Sequence, residues 1–324
     1  MSVTKPRNYW FSISPSISGE PEIDGAPEWT WMSNQLTRSI FVTAQDGLRL
    51  HVREWGSRAA TAMPVVCLPG LARTGADFET LATALAGDSK APRRVLAVDS
   101  RGRGKSEYDP NPANYNLQTE FADFLAVLCA LEIGRAVFVG TSRGGLLVML
   151  LGAARPSAIA GCVLNDIGPV IELSGLTRIK SYVDKLPRPA SYRDAADMLQ
   201  RSLGSHFPKL TPDDWLAFAR HTFKETGGVI VPDYDEKLRL TLEAIDLEQP
   251  LPALWNEFDS LARVPMLLIR GSNSDILSAE TAAAMQDRHV GLDILTVADQ
   301  GHAPLLADPH TVGRIASFIA NCDA

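Results

Sequence analysis

The chain has 324 residues, of which 45% are hydrophobic and 21% charged, with 31 lysines and arginines against 38 aspartates and glutamates. This apolar fraction can bury a core large enough to offset the ordering entropy, which excludes a disordered protein for the bulk of the chain. The formal net charge of −7 disfavours a nucleic-acid-binding protein, whose affinity comes mostly from a basic face. The length fits one large domain or a core with an inserted module.

Localisation and cofactors follow from what the sequence lacks. No stretch approaches the ~18 apolar residues of a membrane span, and the first residues lack the apolar segment of a secretory signal, so a cytoplasmic protein without membrane association is expected. The four cysteines, Cys67, Cys129, Cys162 and Cys322, have no C-x-x-C spacing and are predicted to be reduced core residues. Without H-E-x-x-H, a P-loop sequence or a Cys/His cluster, no metal or cofactor is expected.

Residues 1–37 are predicted to form an N-terminal arm. They are rich in Ser, Pro, Gly and Glu, yet they contain Trp10, Phe11, Trp29 and Trp31, an unusual aromatic load for a flexible tail. The sequence favours an irregular arm packed on the body, and an arm that covers a site or meets another subunit stays open. The oligomeric state is likewise left open.

An antiparallel hairpin is predicted next, because two alternating runs, RSIFVTAQ and LRLHVREWG, are separated by Asp46-Gly47. From Met63 onward, short β-branched runs alternate with helical patterns, which is typical of βαβ units and a mostly parallel sheet. The predicted strands are PVVCLPG from Pro64, RRVLAVD to Asp99, RAVFVGTS to Ser142, AGCVLNDIG from Ala160, PMLLIRG from Pro265 and LDILTVAD to Asp299. The predicted helices are 76–85, 117–131, 144–154, 279–288 and one beginning near Asp308-Pro309.

The alternation breaks between Pro169 and Val264, where helix-like pieces such as ASYRDAADMLQRSL, TPDDWLAFARHTF and DYDEKLRLTLEAI are separated by prolines. So long a segment is not a structureless loop in a compact domain. We interpret 170–263 as a helical lid inserted between a first core part, 38–169, and a second, 264–324. Its aromatic residues include Trp215, Phe218, Phe223, Trp255 and Phe258. Most of the aromatic residues are expected in the core, and a minority are expected to line the acyl pocket.

Gly140-Thr141-Ser142-Arg143-Gly144 is a G-x-S-x-G motif that follows a predicted strand and precedes a predicted helix. A sharp strand-to-helix turn needs small neighbours, and it places the serine near unpaired N–H groups of a helix N-terminus. Ser142 is therefore the predicted nucleophile.

A serine nucleophile needs a general base and an acid that orients the base. His302 is the predicted base, because only this histidine follows a late strand, and Asp275 in GSNSD is the predicted acid. Asp166 in VLNDIGP, at the end of an earlier strand, competes for the acid role, although it also fits the turn that begins the lid. The order Ser142, Asp275, His302 is that of α/β-hydrolase sheets.

With these motifs the chain resembles the α/β-hydrolase superfamily from about Arg38 to its C-terminus, specifically a lidded serine ester hydrolase. The resemblance implies an α/β fold with a mostly parallel central sheet, helices on both faces and an inserted lid. It also implies an oxyanion hole from the backbone N–H groups of Arg143 and Leu71, with Ala72 as a neighbouring alternative to Leu71. Pro69 stands where family members often have histidine, while Gly70 keeps the close backbone approach.

The segment from Asp99 to Ser106 looks like the family's D-x-R-G-x-G-x-S loop. Its three cations are expected to pack against neighbouring loops, and binding of an anionic substrate is the alternative. Arg73 and Arg143 flank the inferred oxyanion hole, where pairing with a local acid or capping of carbonyls is favoured over binding a carboxylate.

The protein is predicted to be a serine hydrolase that cleaves a carboxylic ester or related acyl compound through an acyl-enzyme on Ser142. Its expected substrate is a small molecule. A C–C bond hydrolase, lactonase or acyltransferase with the same triad is the first alternative. A non-catalytic binding protein on the same fold is the second, because fold alone does not establish chemistry.

Overall fold

The computed structural model describes residues 37–183 and 187–323. The predicted arm, with the tryptophans and the phenylalanine named above, lies outside the described residues except for Thr37. Residues 35–324 belong to one compact unit, and the predicted domain boundaries at 169 and 263 both fall within it. Those boundaries remain predictions.

An eight-stranded sheet forms the centre of the fold, in the order β1-β2-β4-β3-β5-β6-β9-β10. β2 pairs antiparallel with both β1 and β4, and the other neighbours pair parallel, so the predicted mostly parallel sheet is confirmed. The strands are β1 Arg38–Thr43, β2 Arg49–Trp55, β3 Val65–Leu68, β4 Val95–Val98, β5 Ala136–Thr141, β6 Ile159–Asn165, β9 Met266–Gly271 and β10 Asp293–Val297. Gly47 turns the β1–β2 hairpin at φ +90°, which a glycine adopts without a steric cost.

Helices cover both faces of the sheet. In β3, Val66 and Leu68 pack on one face with α2 and α3, while Val65 and Cys67 pack on the other face with α1 and α10. Burial on both faces explains why the central strands are continuous apolar runs in the sequence. The core helices are α1 Glu79–Ala86, α2 Leu117–Ala130, α3 Arg143–Ala154, α9 Ala279–Arg288 and α10 Pro309–Asn321.

The described part of the segment between β6 and β9 contains helices at the three predicted pieces, two further helices, α4 and α8, and one hairpin that the sequence analysis missed. The helices are α4 Leu173–Tyr182, α5 Tyr192–Leu203, α6 Pro212–Thr222, α7 Arg239–Glu243 and α8 Trp255–Asp259. The missed hairpin joins β7 Phe223–Thr226 to β8 Val229–Pro232 through Gly227 and Gly228, both at positive φ. A Gly-Gly pair between short runs is a hairpin signal, but strands this short and this exposed carry little hydrophobic pattern.

The inserted segment is held on the loop after β4. The Gly104 amide donates to the Asp233 carbonyl at 2.9 Å, and the Asp235 amide donates to the Gly102 carbonyl at 2.7 Å. The Tyr115 hydroxyl donates to the Asp235 carboxylate at 2.6 Å, which adds a buried side-chain contact. The insert is therefore fixed at its middle as well as at its two ends.

The structure tests the expected burial of the cysteines and the expected lack of a membrane-spanning helix. Cys67, Cys162 and Cys322 are buried free thiols, but Cys129 on α2 is exposed, so its predicted place in the core is wrong. Within residues 37–183 and 187–323, no helix combines the length and apolarity needed to cross a bilayer.

Candidate active site

Ser142 occupies the sharp turn between β5 and α3, with φ 51° and ψ −116°. The strained turn is possible because its neighbours are glycines. A Cβ on Gly144 would stand 2.0 Å from the Leu68 carbonyl oxygen, and one on Gly140 would stand 2.6 Å from the Gly145 backbone. The serine backbone is fixed in turn by a 3.0 Å hydrogen bond from its amide to the Asn165 carbonyl.

His302 lies in the loop after β10 and contacts Ser142 directly. Its Nε2 is 2.8 Å from the Ser142 Oγ, and its side chain is 7% exposed. Asn165, at the end of β6, holds this loop in place, because its amide nitrogen donates to the Pro304 carbonyl at 2.9 Å and to the Thr141 hydroxyl at 3.1 Å. The histidine loop is thereby tied to the strand that carries the serine.

Asp166 is the carboxylate that contacts His302. Its Oδ2 lies 2.8 Å from the His302 Nδ1 and accepts a 2.6 Å hydrogen bond from the Ser274 hydroxyl, while Oδ1 accepts from the Gly271 amide at 2.8 Å. The side chain is fully buried, and its two oxygens contact His302, Ser274 and Gly271. With Nδ1–H donating to Asp166, the His302 Nε2 is free to accept the Ser142 proton.

The expectation that Asp275 contacts His302 is wrong. Asp275 instead pairs with Arg178 on α4, whose Nε and Nη2 donate to its two oxygens at 2.6 and 2.7 Å. β6 lies next to β5 in the sheet, whereas β9 is one strand further away, so the first residue after β6 is nearer to Ser142. Burial raises the pKa of Asp275, but the hydrogen bonds and charge of Arg178 outweigh it and hold that pKa below its usual value.

The two residues expected to form the oxyanion hole lie beside Ser142. Leu71 is in a turn closed by a 3.3 Å hydrogen bond from the Arg73 amide to the Gly70 carbonyl, and a Cβ on Gly70 would stand 3.7 Å from the Ser142 Cβ. Arg143 is the first residue of α3, a position where a helix N–H has no intrahelical partner. Both backbone segments thus lie next to Ser142.

A buried ion triad connects these two segments. The Glu120 carboxylate accepts from Arg103 Nη1 at 2.7 Å and from Arg143 Nε, and Arg103 Nε donates to the Leu71 carbonyl at 2.7 Å. Burial raises the pKa of Glu120, but the two arginines outweigh it and leave the pKa below its usual value. Glu120 is 2% exposed, so it holds two charges together away from water.

The other arginine of the loop after β4 is also buried. Arg101 is 1% exposed and is paired with Asp123 through two 2.6 Å hydrogen bonds, and with Asp109 and Asp46. Neither Arg101 nor Arg103 lines the cavity at Ser142. The expected packing role therefore holds for both arginines, and binding of an anionic substrate finds no support.

Ser142 and His302 open onto a cavity of about 290 Å³. Its apolar wall comes largely from the inserted segment, with Ile179 of α4, Leu199 and Leu203 of α5, and Phe218 of α6. Leu71 and Arg73 contribute from the core. Among the described residues, no group of three or more His, Cys, Asp or Glu is arranged to hold a metal ion.

Four residues of the site were absent from the sequence analysis: Asn165, Ser274, Arg178 and Glu120. Asn165 had a signal, because a polar residue ends a strand that is otherwise apolar. The other three had none, since these partners lie between 17 and 108 residues away along the chain.

The fold and this strand-to-helix turn are those of an α/β hydrolase, and the comparison with known proteins agrees. Residues 65–315 match the alpha/beta hydrolase family, and the chain belongs to that family and is a hydrolase. A solved alpha/beta hydrolase from Novosphingobium aromaticivorans is 41% identical, with a TM-score of 0.80, and the match covers 88% of this chain and 98% of that one.

Two relatives of known activity are similar over most of their length. The 3-hydroxybutyrate-oligomer hydrolase of Cupriavidus necator is 32% identical over 279 residues, which cover 83% of this chain and 92% of the relative. The sn-1-specific diacylglycerol lipase ABHD11 of Danio rerio is 27% identical over 248 residues, which cover 74% of this chain and 72% of the relative.

Proposed function

We propose that the protein is a serine hydrolase that cleaves a carboxylic ester through an acyl-enzyme on Ser142. The observation that carries the proposal is the hydrogen-bonded chain from Ser142 through His302 to Asp166, with 2.8 Å at each step, at the wall of a cavity. Asp166 takes the acid role first expected of Asp275.

In this mechanism His302 accepts the Ser142 proton as the serine oxygen bonds to the ester carbonyl carbon. The Leu71 and Arg143 N–H groups stabilise the tetrahedral oxyanion. As the bond to the alcohol breaks, His302 returns the proton to the departing oxygen. Water then attacks the acyl-enzyme with His302 again as the base, which releases the acid and restores Ser142. Asp166 holds the imidazole tautomer and stabilises the imidazolium.

The inserted segment is proposed to act as the lid of this site. Its helices α4, α5 and α6 supply one apolar side of the cavity, with Leu71, Phe78 and Leu305 of the core on the rest of the wall, so the arrangement of the helices helps to set the shape of the acyl pocket. The named activities of the relatives, hydrolysis of 3-hydroxybutyrate oligomers and of diacylglycerol, are both ester cleavage. This likeness supports an ester over a C–C bond as the substrate, and an enzyme over a non-catalytic binding protein.

The test is hydrolysis of p-nitrophenyl esters of increasing acyl length by the wild type and by Ser142→Ala. We expect turnover of short to medium chains by the wild type and none by the variant, with a fluorophosphonate probe labelling the wild type at Ser142 alone. Labelling or turnover that survives Ser142→Ala would remove Ser142 from the mechanism.

A further inference from the structure

Arg73 lies next to the nucleophile and is held rigidly. A Cβ on Gly70 would stand 3.5 Å from the Arg73 Cγ and 3.7 Å from the Ser142 Cβ, so a single glycine separates the two side chains. The guanidinium donates to Asp77 through Nε at 2.8 Å and through Nη2, donates to the Thr222 hydroxyl through Nη1, and lies 4.5 Å from the Phe218 ring centroid.

This guanidinium keeps hydrogen-bonding capacity toward the cavity. A guanidinium has five N–H groups, and the contacts with Asp77 and Thr222 use three of Arg73's, leaving two with no partner among the described residues. Arg73 and Asp77 both line the cavity, with side chains 20% and 21% exposed. The carboxylate oxygens also keep lone pairs, so the pair offers donors and acceptors together.

The charges on the cavity wall disfavour an anionic substrate. Arg73 is neutralised by Asp77, and the other lining arginine, Arg188, is paired with Glu236 at 3.3 Å. Asp214 adds a third carboxylate, after Asp77 and Glu236, to the described residues that line the cavity. Burial lowers the pKa of His221, so its imidazole is neutral near pH 7 and adds no positive charge.

We infer that the Arg73–Asp77 pair is a specificity subsite for an uncharged oxygen group of the substrate, and that the substrates are hydroxyacyl esters or short oligoesters. Such a molecule places its hydrocarbon against Ile179, Leu199 and Phe218. Its second oxygen, a hydroxyl or a further ester carbonyl, accepts from Arg73, and a hydroxyl also donates to Asp77. The inference rests on the proposed function and adds a substrate class and two specificity residues to it.

The experiment compares two matched substrate pairs. p-Nitrophenyl 3-hydroxybutyrate against p-nitrophenyl butyrate places the extra oxygen on the acyl side, and methyl 3-(butyryloxy)butanoate against sec-butyl butyrate, both followed by release of butyrate, places it on the alcohol side. Each kcat/KM is divided by the rate of hydroxide-catalysed hydrolysis. The wild type should prefer the oxygenated member of at least one pair, and Arg73→Met should lower that preference by about tenfold, the value of one hydrogen bond to a charged group.

Asp77→Asn tests the negative member of the pair, whereas Arg73→Met tests the positive one. Removing the carboxylate leaves Arg73 without a neutralising partner, so kcat/KM for p-nitrophenyl hemisuccinate relative to the butyrate should rise by about tenfold. Asp77→Asn also carries the test if Arg73→Met fails to fold. Thr222→Val removes the hydrogen bond from the guanidinium to α6 and keeps the Phe218 contact, so it should leave both ratios within about twofold of wild type, as should the distant paired-arginine control Arg314→Met.

The outcomes separate the inference from the function on which it rests. Unchanged preferences in Arg73→Met, or an unchanged hemisuccinate ratio in Asp77→Asn, would overturn the subsite while ester hydrolysis by Ser142 stands. A loss of preference in Thr222→Val as large as that in Arg73→Met would overturn it too, because Arg73 would then act only by holding α6 in position. Absence of ester turnover in the wild type, or its survival in Ser142→Ala, would overturn the proposed function itself.

Discussion

The Asp166 carboxylate lies 2.8 Å from Nδ1 of His302, although 136 residues separate the two along the chain. Asp166 is the first residue after β6, and it adopts φ 56°, a left-handed conformation that is uncommon for a residue other than glycine. Ser142, one strand away, also has a positive φ. Both side chains thus depend on strained turns at neighbouring strand ends, which the Gly271 amide and the Asn165 carbonyl hold in place.

The contact of Asp166 with His302 predicts different effects for the two candidate acids. Asp166→Asn preserves shape but leaves the imidazole in the wrong tautomer, which costs about 10⁴ in turnover in a Ser-His-Asp enzyme. Asp275→Asn should change turnover by less than about tenfold, because its carboxylate binds Arg178. Steady-state kcat on one ester is the measurement. A crippled Asp275→Asn beside an active Asp166→Asn would reverse the assignment.

The base role of His302 predicts that activity falls in acid, because a protonated imidazole cannot accept the Ser142 proton. His302→Ala should remove most activity, measured as kcat/KM across pH 5 to 9.

His51 offers a matched control for His302. It makes the same two kinds of contact, to Asp99 at 2.8 Å and to the Ser39 hydroxyl at 3.0 Å, but it does not line the cavity. His51→Gln should retain the wild-type pH profile in its folded fraction. A wild-type rate in His302→Ala would contradict the assignment. So would a His51→Gln variant whose kcat/KM no longer falls at acid pH.

The Arg178–Asp275 pair predicts a pH-dependent contribution to stability. Because Arg178 holds the pKa of Asp275 below its unfolded value, the stabilisation is present above about pH 4 and is lost as the pH falls and Asp275 takes up a proton. Arg178→Met should lower the free energy of unfolding by about 1–3 kcal/mol at pH 7, since the pair is partly exposed. Urea unfolding at pH 7 and pH 3 measures both values. A deficit of equal size at both pH values would show that the ion pair is not its source.

Glu120 is predicted to position the oxyanion hole through Arg103 and Arg143. Glu120→Gln leaves the buried Arg103 and the partly buried Arg143 without their carboxylate, so it should cost about 3–5 kcal/mol of stability and, in the folded enzyme, lower kcat about tenfold with little change in KM.

Asp123→Asn is the matched control for Glu120→Gln. Asp123 is also buried and is also paired with an arginine, Arg101, but neither residue is hydrogen-bonded to Leu71 or Arg143. It should lose stability but keep its kcat. If both variants lost kcat equally, Glu120 would be a structural residue with no specific connection to the oxyanion hole.

The sequence by itself determined the sheet, most helices, the G-x-S-x-G turn and the place of His302 after a late strand. These features depend on local physics: period-two and helical hydrophobic patterns, glycines that a sharp turn requires, and strand ends that meet at one edge of a parallel sheet. β3 and β5, for example, are recognisable from their apolar runs alone. Gly140 and Gly144 of the strand-to-helix turn are recognisable from their spacing around Ser142. The exposed β7–β8 hairpin carried too little pattern to be found.

Only the tertiary structure decided which carboxylate meets His302. Asp166 and Asp275 both follow buried strands, so their local patterns are equivalent, and the sequence analysis preferred the wrong one. The sheet order brings β6 next to β5, and the inserted helix α4 brings Arg178 against Asp275. The pairing of Arg73 with Asp77 was among the expected roles, but its place on the cavity wall depends on how α6 packs. The contacts of His302 with Asp166, of Arg178 with Asp275 and of Arg73 with Thr222 join segments far apart in the chain, and no local propensity encodes them.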